Sequence, residues 1–291
     1  MAFSRDREAA HQTGQAPARA VKRAAGHPRL QFLERVGYVA RGVLYMVMGL
    51  LALGIALRTG SGQATDLTGS LVFLLGKPFG RVILTLMIVG LAAYALWGIV
   101  RAVFDPLHRG KDASGILARL GFVSSAASYA AIAYVGLQLL GGTSGAASGD
   151  STQKTVSSLL AHPMGALITI AVGLIAIGVA IGQFIEAYRA TFRHDLKNAE
   201  MTETERKATV ALGRYGMFAR GVTFLIVGWL VLQAGVHKNP GLAHGFGGAF
   251  LVLLTQPFGH LLLAVVAVGF VAMGLHSMAC ARWIRLMGPA G

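Results

Sequence analysis

The chain has 291 residues, 54% hydrophobic and only 13% charged, with a formal net charge of +14. Average soluble domains hold roughly 25% charged residues, so an ordinary soluble fold is excluded, and long uncharged stretches point to a polytopic membrane protein. The single cysteine, Cys280, excludes an intramolecular disulfide.

In chain order, residues 1–34 form a basic tail, poor in apolar residues and without the apolar core of a signal peptide, and are read as disordered. Six apolar runs follow, near 38–57, 82–100, 120–140, 165–185, 217–235 and 260–280. Each approaches the ~20 residues that a helix needs to cross a hydrocarbon core about 30 Å thick. Between paired runs, segments 66–75, 151–160 and 242–254 carry Leu, Val and Phe at helical intervals. They predict short helices on the external interface, the first capped by Thr65 or Asp66 and the second by Asp150 or Ser151. The stretch Gly141–Gly149 reads as a flexible connector. Pro78, Pro163 and Pro257 mark where the chain turns back into the next run, because proline is tolerated at the first turn of a helix.

Lys and Arg divide 21 to five between the two sides of this topology. The excess predicts that both termini are cytoplasmic. A basic inner face attracts anionic headgroups by ~1 kcal/mol per near-surface cation. Membrane lipids and partner membrane proteins are therefore the expected partners. Nucleic acid is not, because these cations flank spans and no nucleic-acid-binding motif is present.

The chain repeats itself three times. Arg35, Arg119 and Arg214 each open a phrase with Gly two residues later (Gly37, Gly121 and Gly216). The phrase Leu-Leu-x-x-Pro-x-Gly then ends at Gly80, Gly165 and Gly259. Arg-to-Pro spacings of 43, 44 and 43 residues tie the two phrases into one unit. Each unit crosses twice, so the copies share an orientation, and units at 35–104, 119–192 and 214–283 predict pseudo-threefold symmetry.

Small residues recur in register. Gly42 and Gly49, Ala126 and Ala133, and Gly221 and Gly228 are seven apart, so each pair lies on one helix face where backbones can approach closely. Gly178 and Gly182 form a G-x-x-x-G pair. Arg41 and Arg220 share one repeat position about a turn inside the basic end, and Ser125 replaces them in the middle unit. Long side chains there reach back to headgroups, or they face inward and line a vestibule for an anion. Glu186 reads as the one acidic residue within a span, at the depth of Arg41, Arg101 and Arg220. An interhelical ion pair with an arginine is its expected role. His276 reads as a hydrogen-bonded packing residue, and no cofactor or metal is expected. No catalytic motif appears: H-E-x-x-H, P-loop, G-x-S-x-G and C-x-x-C are all missing.

The repeated Arg-x-Gly-(Tyr/Phe/Met)-x-x-Arg-Gly opening and Pro-(Phe/Met)-Gly return resemble the bacterial membrane family catalogued as domain of unknown function 1206. The resemblance covers about 35–283, and the middle unit departs from it where Ser125-Ala126 replaces Arg-Gly. It implies three two-helix units and brings no activity, cofactor or substrate. The expectation is an all-α, six-helix membrane bundle, not an enzyme, that interacts with lipids or membrane proteins. The alternative is a small-solute or ion transporter with a site at Arg41, Arg220 and Glu186.

Overall fold

The computed structural model describes residues 28–59, 66–105, 113–142 and 151–284. Most of the predicted tail, the candidate caps Thr65 and Asp150, and most of the Gly141–Gly149 connector lie outside the described residues. The described chain folds into helices α1 (Pro28–Ala56), α2 (Leu67–Leu75), α3 (Gly80–Phe104), α4 (Ala113–Leu140), α5 (Ser151–Leu160), α6 (Gly165–Arg189), α7 (Glu203–Val236), α8 (Phe246–Thr255) and α9 (Gly259–Trp283). Six of them, α1, α3, α4, α6, α7 and α9, are long and apolar enough to cross a membrane. The short helices α2, α5 and α8 fall where the sequence places them. Asp66 caps α2, its carboxylate accepting from the Gly69 N–H at 2.8 Å.

The first helix corrects the predicted tail. It starts at Pro28 instead of near residue 38, which brings Glu34 and Arg35 into α1. Proline suits the first helical position because its missing N–H would be unsatisfied there anyway. The helix is amphipathic in polar groups as well: Glu34, Tyr38, Tyr45 and Ala52 are all buried.

The proline turns are also corrected in detail. Pro78, Pro163 and Pro257 lie two residues ahead of α3, α6 and α9, inside tight turns and not within the first helical turn. In each turn the closing glycine N–H donates back three residues: Gly80 to Lys77 O (2.8 Å), Gly165 to His162 O and Gly259 to Gln256 O (both 2.9 Å). Proline therefore occupies the second turn position, where its fixed φ is favourable. The third position is left-handed at Phe79 (φ 59°) and Phe258 (φ 60°). The glycine then sits against the end of the preceding short helix. A methyl group there would lie 2.0 Å from Leu75 O at Gly80, 1.8 Å from Leu159 O at Gly165 and 2.3 Å from Leu254 O at Gly259.

The long helices pack in the order α4, α3, α1, α9, α7, α6, and the two ends, α4 and α6, scarcely touch. In this order the second span of each unit packs on the first span of another: α3 on α4, α6 on α7, and α9 on α1. The small residues make these contacts close. A methyl on Gly42 would lie 2.9 Å from Gly274 O, one on Gly49 2.8 Å from Ala267 O, and one on Gly228 2.9 Å from Ile177 N. Gly221 is covered by the Phe184 ring, and Ala126 packs on Gly98. Ala133 is buried in the main core. Gly178 and Gly182 depart from expectation. Both are exposed, with nothing within 4 Å of a methyl at either, and α6 packs on α7 through Gly173 instead.

The opening arginines of the second and third units have a local task. Arg214 donates from Nε to Ala187 O at 2.8 Å and from its terminal nitrogen to Tyr188 O at 3.0 Å. Arg119 does the same to Ala102 O (2.6 Å) and Val103 O (3.1 Å). Each satisfies the last carbonyls of the preceding unit's second span, where the helix dipole is negative. Arg35 forms no such bond among the described residues. We expect Arg214→Ala to destabilise by about 1 kcal/mol and Arg35→Ala to leave the unfolding midpoint unchanged. Thermal unfolding in nanodiscs checks both, and equal effects would refute the capping role.

Candidate functional site

Where the first spans of the three units converge, a layer of arginine and tyrosine fills the interior. The repeat offsets of 84 and 179 residues align Arg41, Ser125 and Arg220, and one turn later Tyr45, Tyr129 and Phe224. Tyr45 and Tyr129 are buried and joined hydroxyl to hydroxyl, Tyr129 donating at 2.9 Å. Arg41 donates to the Tyr94 hydroxyl at 2.5 Å, and its guanidinium carbon lies 5.3 to 5.8 Å from the ring centroids of Tyr94, Tyr45 and Tyr129. Arg220 lies 5.4 Å from the Tyr45 centroid and 5.7 Å from that of Phe224. Both arginines are therefore within cation–π range of one tyrosine.

Among the described residues neither arginine has a carboxylate partner, and the Nε of each is buried without a hydrogen-bond partner. Both side chains are only partly buried. Two like charges beside one ring, with donor capacity left over, form a cation pair of the kind that a phosphate-type anion satisfies by charge-assisted hydrogen bonds.

Glu186 and Arg101, grouped with this pair in the sequence, stand apart from it. The Glu186 carboxylate accepts the Phe192 N–H at 2.7 Å, tying down the chain just beyond α6. The buried interhelical ion pair belongs to other residues. Arg101 of α3 pairs with Glu34 of α1, with side chains 7% and 1% exposed. Arg101 also donates to the Tyr38 hydroxyl at 3.0 Å and lies over the Trp97 ring at 5.6 Å. In the third unit the corresponding positions are Gly213, His276 and Cys280. There a buried His276 bonds Thr209 O through Nδ1 at 2.9 Å and approaches Cys280 Sγ through Nε2 at 3.5 Å, against the Phe192 ring. His276 is thus fully engaged in packing.

Sequence reasoning missed Glu34 and the tyrosine layer. Tyr45 and Tyr129 at one repeat position were a usable signal, since a hydroxyl inside an apolar run must find a partner. Tyr38, Tyr45, Tyr94 and Trp97 are all buried, whereas Trp229 is exposed. A separate cavity of about 270 Å³ lies at the proline-turn end between α5, α6 and α7, lined by Thr152, Thr155, Val156, Leu159, Thr169 and Val231 among others. It holds no charged side chain.

Comparison with known proteins agrees with this architecture. The family model described as domain of unknown function 1206 matches three times, over residues 36–105, 120–190 and 215–283. An uncharacterized protein of Bacillus subtilis (strain 168) is 31% identical over 251 residues, spanning 86% of this chain and 90% of the relative. No solved structure matches.

Proposed function

Because this chain belongs to the family of domain of unknown function 1206 and is a multi-pass membrane protein built from three repeats, we propose that it acts, without catalysis, by holding a phosphate-bearing anion between Arg41 and Arg220. The observation that carries this reading is the pair itself: two arginines converging on Tyr45, with no carboxylate among the described residues to neutralise them. A charge inside a bundle is expensive unless paired, and an isolated structural role would be filled more cheaply by an uncharged residue, as Ser125 in the middle unit illustrates. In this reading the three units are related by a pseudo-threefold axis, the basic end faces the cytoplasm, and the pair lies near the inner leaflet of the bacterial cytoplasmic membrane. The positive excess on that side draws anionic headgroups toward it.

Transport is the second reading, and it keeps Arg41 and Arg220 but loses Glu186, whose carboxylate is occupied at Phe192 N–H. The test uses inorganic phosphate as the probe. Titration calorimetry on the full chain in phosphatidylcholine nanodiscs should show binding that R41Q and R220Q each weaken ten- to a hundred-fold, as expected for the loss of one charge-assisted bond. Glu186→Gln should leave binding unchanged. If R41Q/R220Q binds phosphate like the parent, the reading fails.

A further inference from the structure

We infer that the gap between α4 and α6 is a lateral opening through which the anionic headgroup of a bilayer lipid reaches Arg41 and Arg220, an inference that rests on the anion-binding reading above. The gap has a local cause. Within the first unit α1 and α3 meet at Ala40 and Gly90, where a methyl on Gly90 would lie 2.6 Å from the Ala40 Cβ. Within the third unit α7 and α9 meet identically: a methyl on Gly269 would lie 2.3 Å from the Ala219 Cβ. In the second unit these positions are Ser124 and Ile175, and both are exposed. Isoleucine stands where the other two units have no room for one methyl group. Gly121 shows the result. Its counterparts Gly37 and Gly216 press on Tyr94 and Met273 at 2.9 and 2.7 Å, whereas nothing lies within 4 Å of a methyl on Gly121.

The level of the gap and the chemistry on either side of it select the occupant. Ser124 precedes Ser125, the repeat counterpart of Arg41 and Arg220, so the opening lies at the depth of the arginine pair. Tyr129, one turn further along α4, lies beside Arg41 of that pair, its ring centroid 5.8 Å from the guanidinium carbon. Outward, α6 presents Ile175, Gly178 and Gly182, which are apolar and open. A free inorganic anion meets a hydrocarbon barrier on that side. A phospholipid does not, since its chains stay in the bilayer while its phosphate meets the partly accessible side chains of Arg41 and Arg220. Charge complementarity inside and apolar walls outside thus fit an anionic amphiphile.

The experiment closes the gap reversibly. S124C and I175C are introduced together, Cys280 being buried, and the two new thiols are bridged by a short bifunctional thiosulfonate. The full chain is placed in vesicles of phosphatidylcholine with phosphatidylglycerol, and bound phosphatidylglycerol is counted by native mass spectrometry. Bridging should lower bound phosphatidylglycerol at least ten-fold, leave inorganic phosphate binding unchanged, and be undone by reductant. S124A/I175G, which restores the residues that let the other units close, should give the same loss without chemistry. Unchanged phosphatidylglycerol binding in the bridged protein or in S124A/I175G, with phosphate binding intact, overturns the lateral route alone. Unchanged binding of both probes in R41Q/R220Q overturns the anion site on which it rests.

Discussion

Glu34→Ala is expected to destabilise the protein by about 3–5 kcal/mol, the typical effect of removing one partner from a buried ion pair. The reason is what it leaves behind. Arg101 is 6% exposed, and without Glu34 its only hydrogen bond among the described residues is to the neutral Tyr38 hydroxyl. A lone guanidinium in a low-dielectric interior keeps its charge and loses its hydration. The pair also joins α1 to α3 across the first unit, so the loss falls on a helix contact already made tight by Gly90 and Ala40. Replacing both partners by apolar residues of similar length, E34L/R101M, should restore most of the stability, because the desolvation of two charges disappears with them. The third unit supports this: Gly213 and Cys280 occupy the same two positions and close the same interface without any charge. Thermal unfolding of the single and double variants in nanodiscs decides it. A Glu34→Ala midpoint equal to the parent's would show that the pair contributes nothing, and a double variant no better than the single would show that the charge is not the cause.

Most of the architecture was legible because it is written in periodicity. The six apolar runs, the short helices between paired spans and the threefold phrase depend on local composition and on spacing, which survive without any tertiary information. What was not legible depends on which faces meet. Gly178 and Gly182 carry the strongest small-residue motif of α6, yet α6 is bound through Gly173, and the motif faces outward. Glycine spacing says that two backbones can approach but not which two do. Glu34 was hidden for a different reason. It lies in a polar, basic stretch, where nothing local distinguishes a tail from the first two turns of a long helix except Pro28 at its start. Glu186, by contrast, was conspicuous as an acid in an apolar run, and conspicuousness assigned it an ion pair that geometry gives to Glu34 and Arg101. The unit that would have paired Glu186 is the one whose two spans stand apart, so its carboxylate turns to the nearest free donor, the Phe192 N–H. The tyrosine layer was missed because tyrosine is equally at home at a membrane interface. Only the coincidence of Tyr45 and Tyr129 at one repeat position separates the two cases.

Gly165→Ala is expected to destabilise by about 3 kcal/mol, the upper end for an overpacking substitution, whereas Gly178→Ala, thirteen residues along the same helix, should be neutral or slightly stabilising. The contrast isolates geometry from residue type. Gly165 has ordinary negative φ, so no left-handed conformation demands glycine there. The demand is steric: the added carbon would lie 1.8 Å from Leu159 O and 2.8 Å from the Leu160 Cα, both backbone atoms that no rotamer change can move. Relief requires α5 to lift away or the bond from Gly165 N–H to His162 O to break, and either frees the turn that aims α6 back across the bundle. Gly80 and Gly259 meet the same obstacle at Leu75 O and Leu254 O, so their alanine variants should behave like Gly165→Ala. At Gly178 a methyl meets nothing within 4 Å, and alanine is the better helix former by up to ~1 kcal/mol. The unfolding midpoints of the four variants in one lipid environment give the answer. If Gly165→Ala and Gly178→Ala melt together, the repeated glycine is not what forces the return of the chain, and the recurrence of Pro-x-Gly loses its physical explanation.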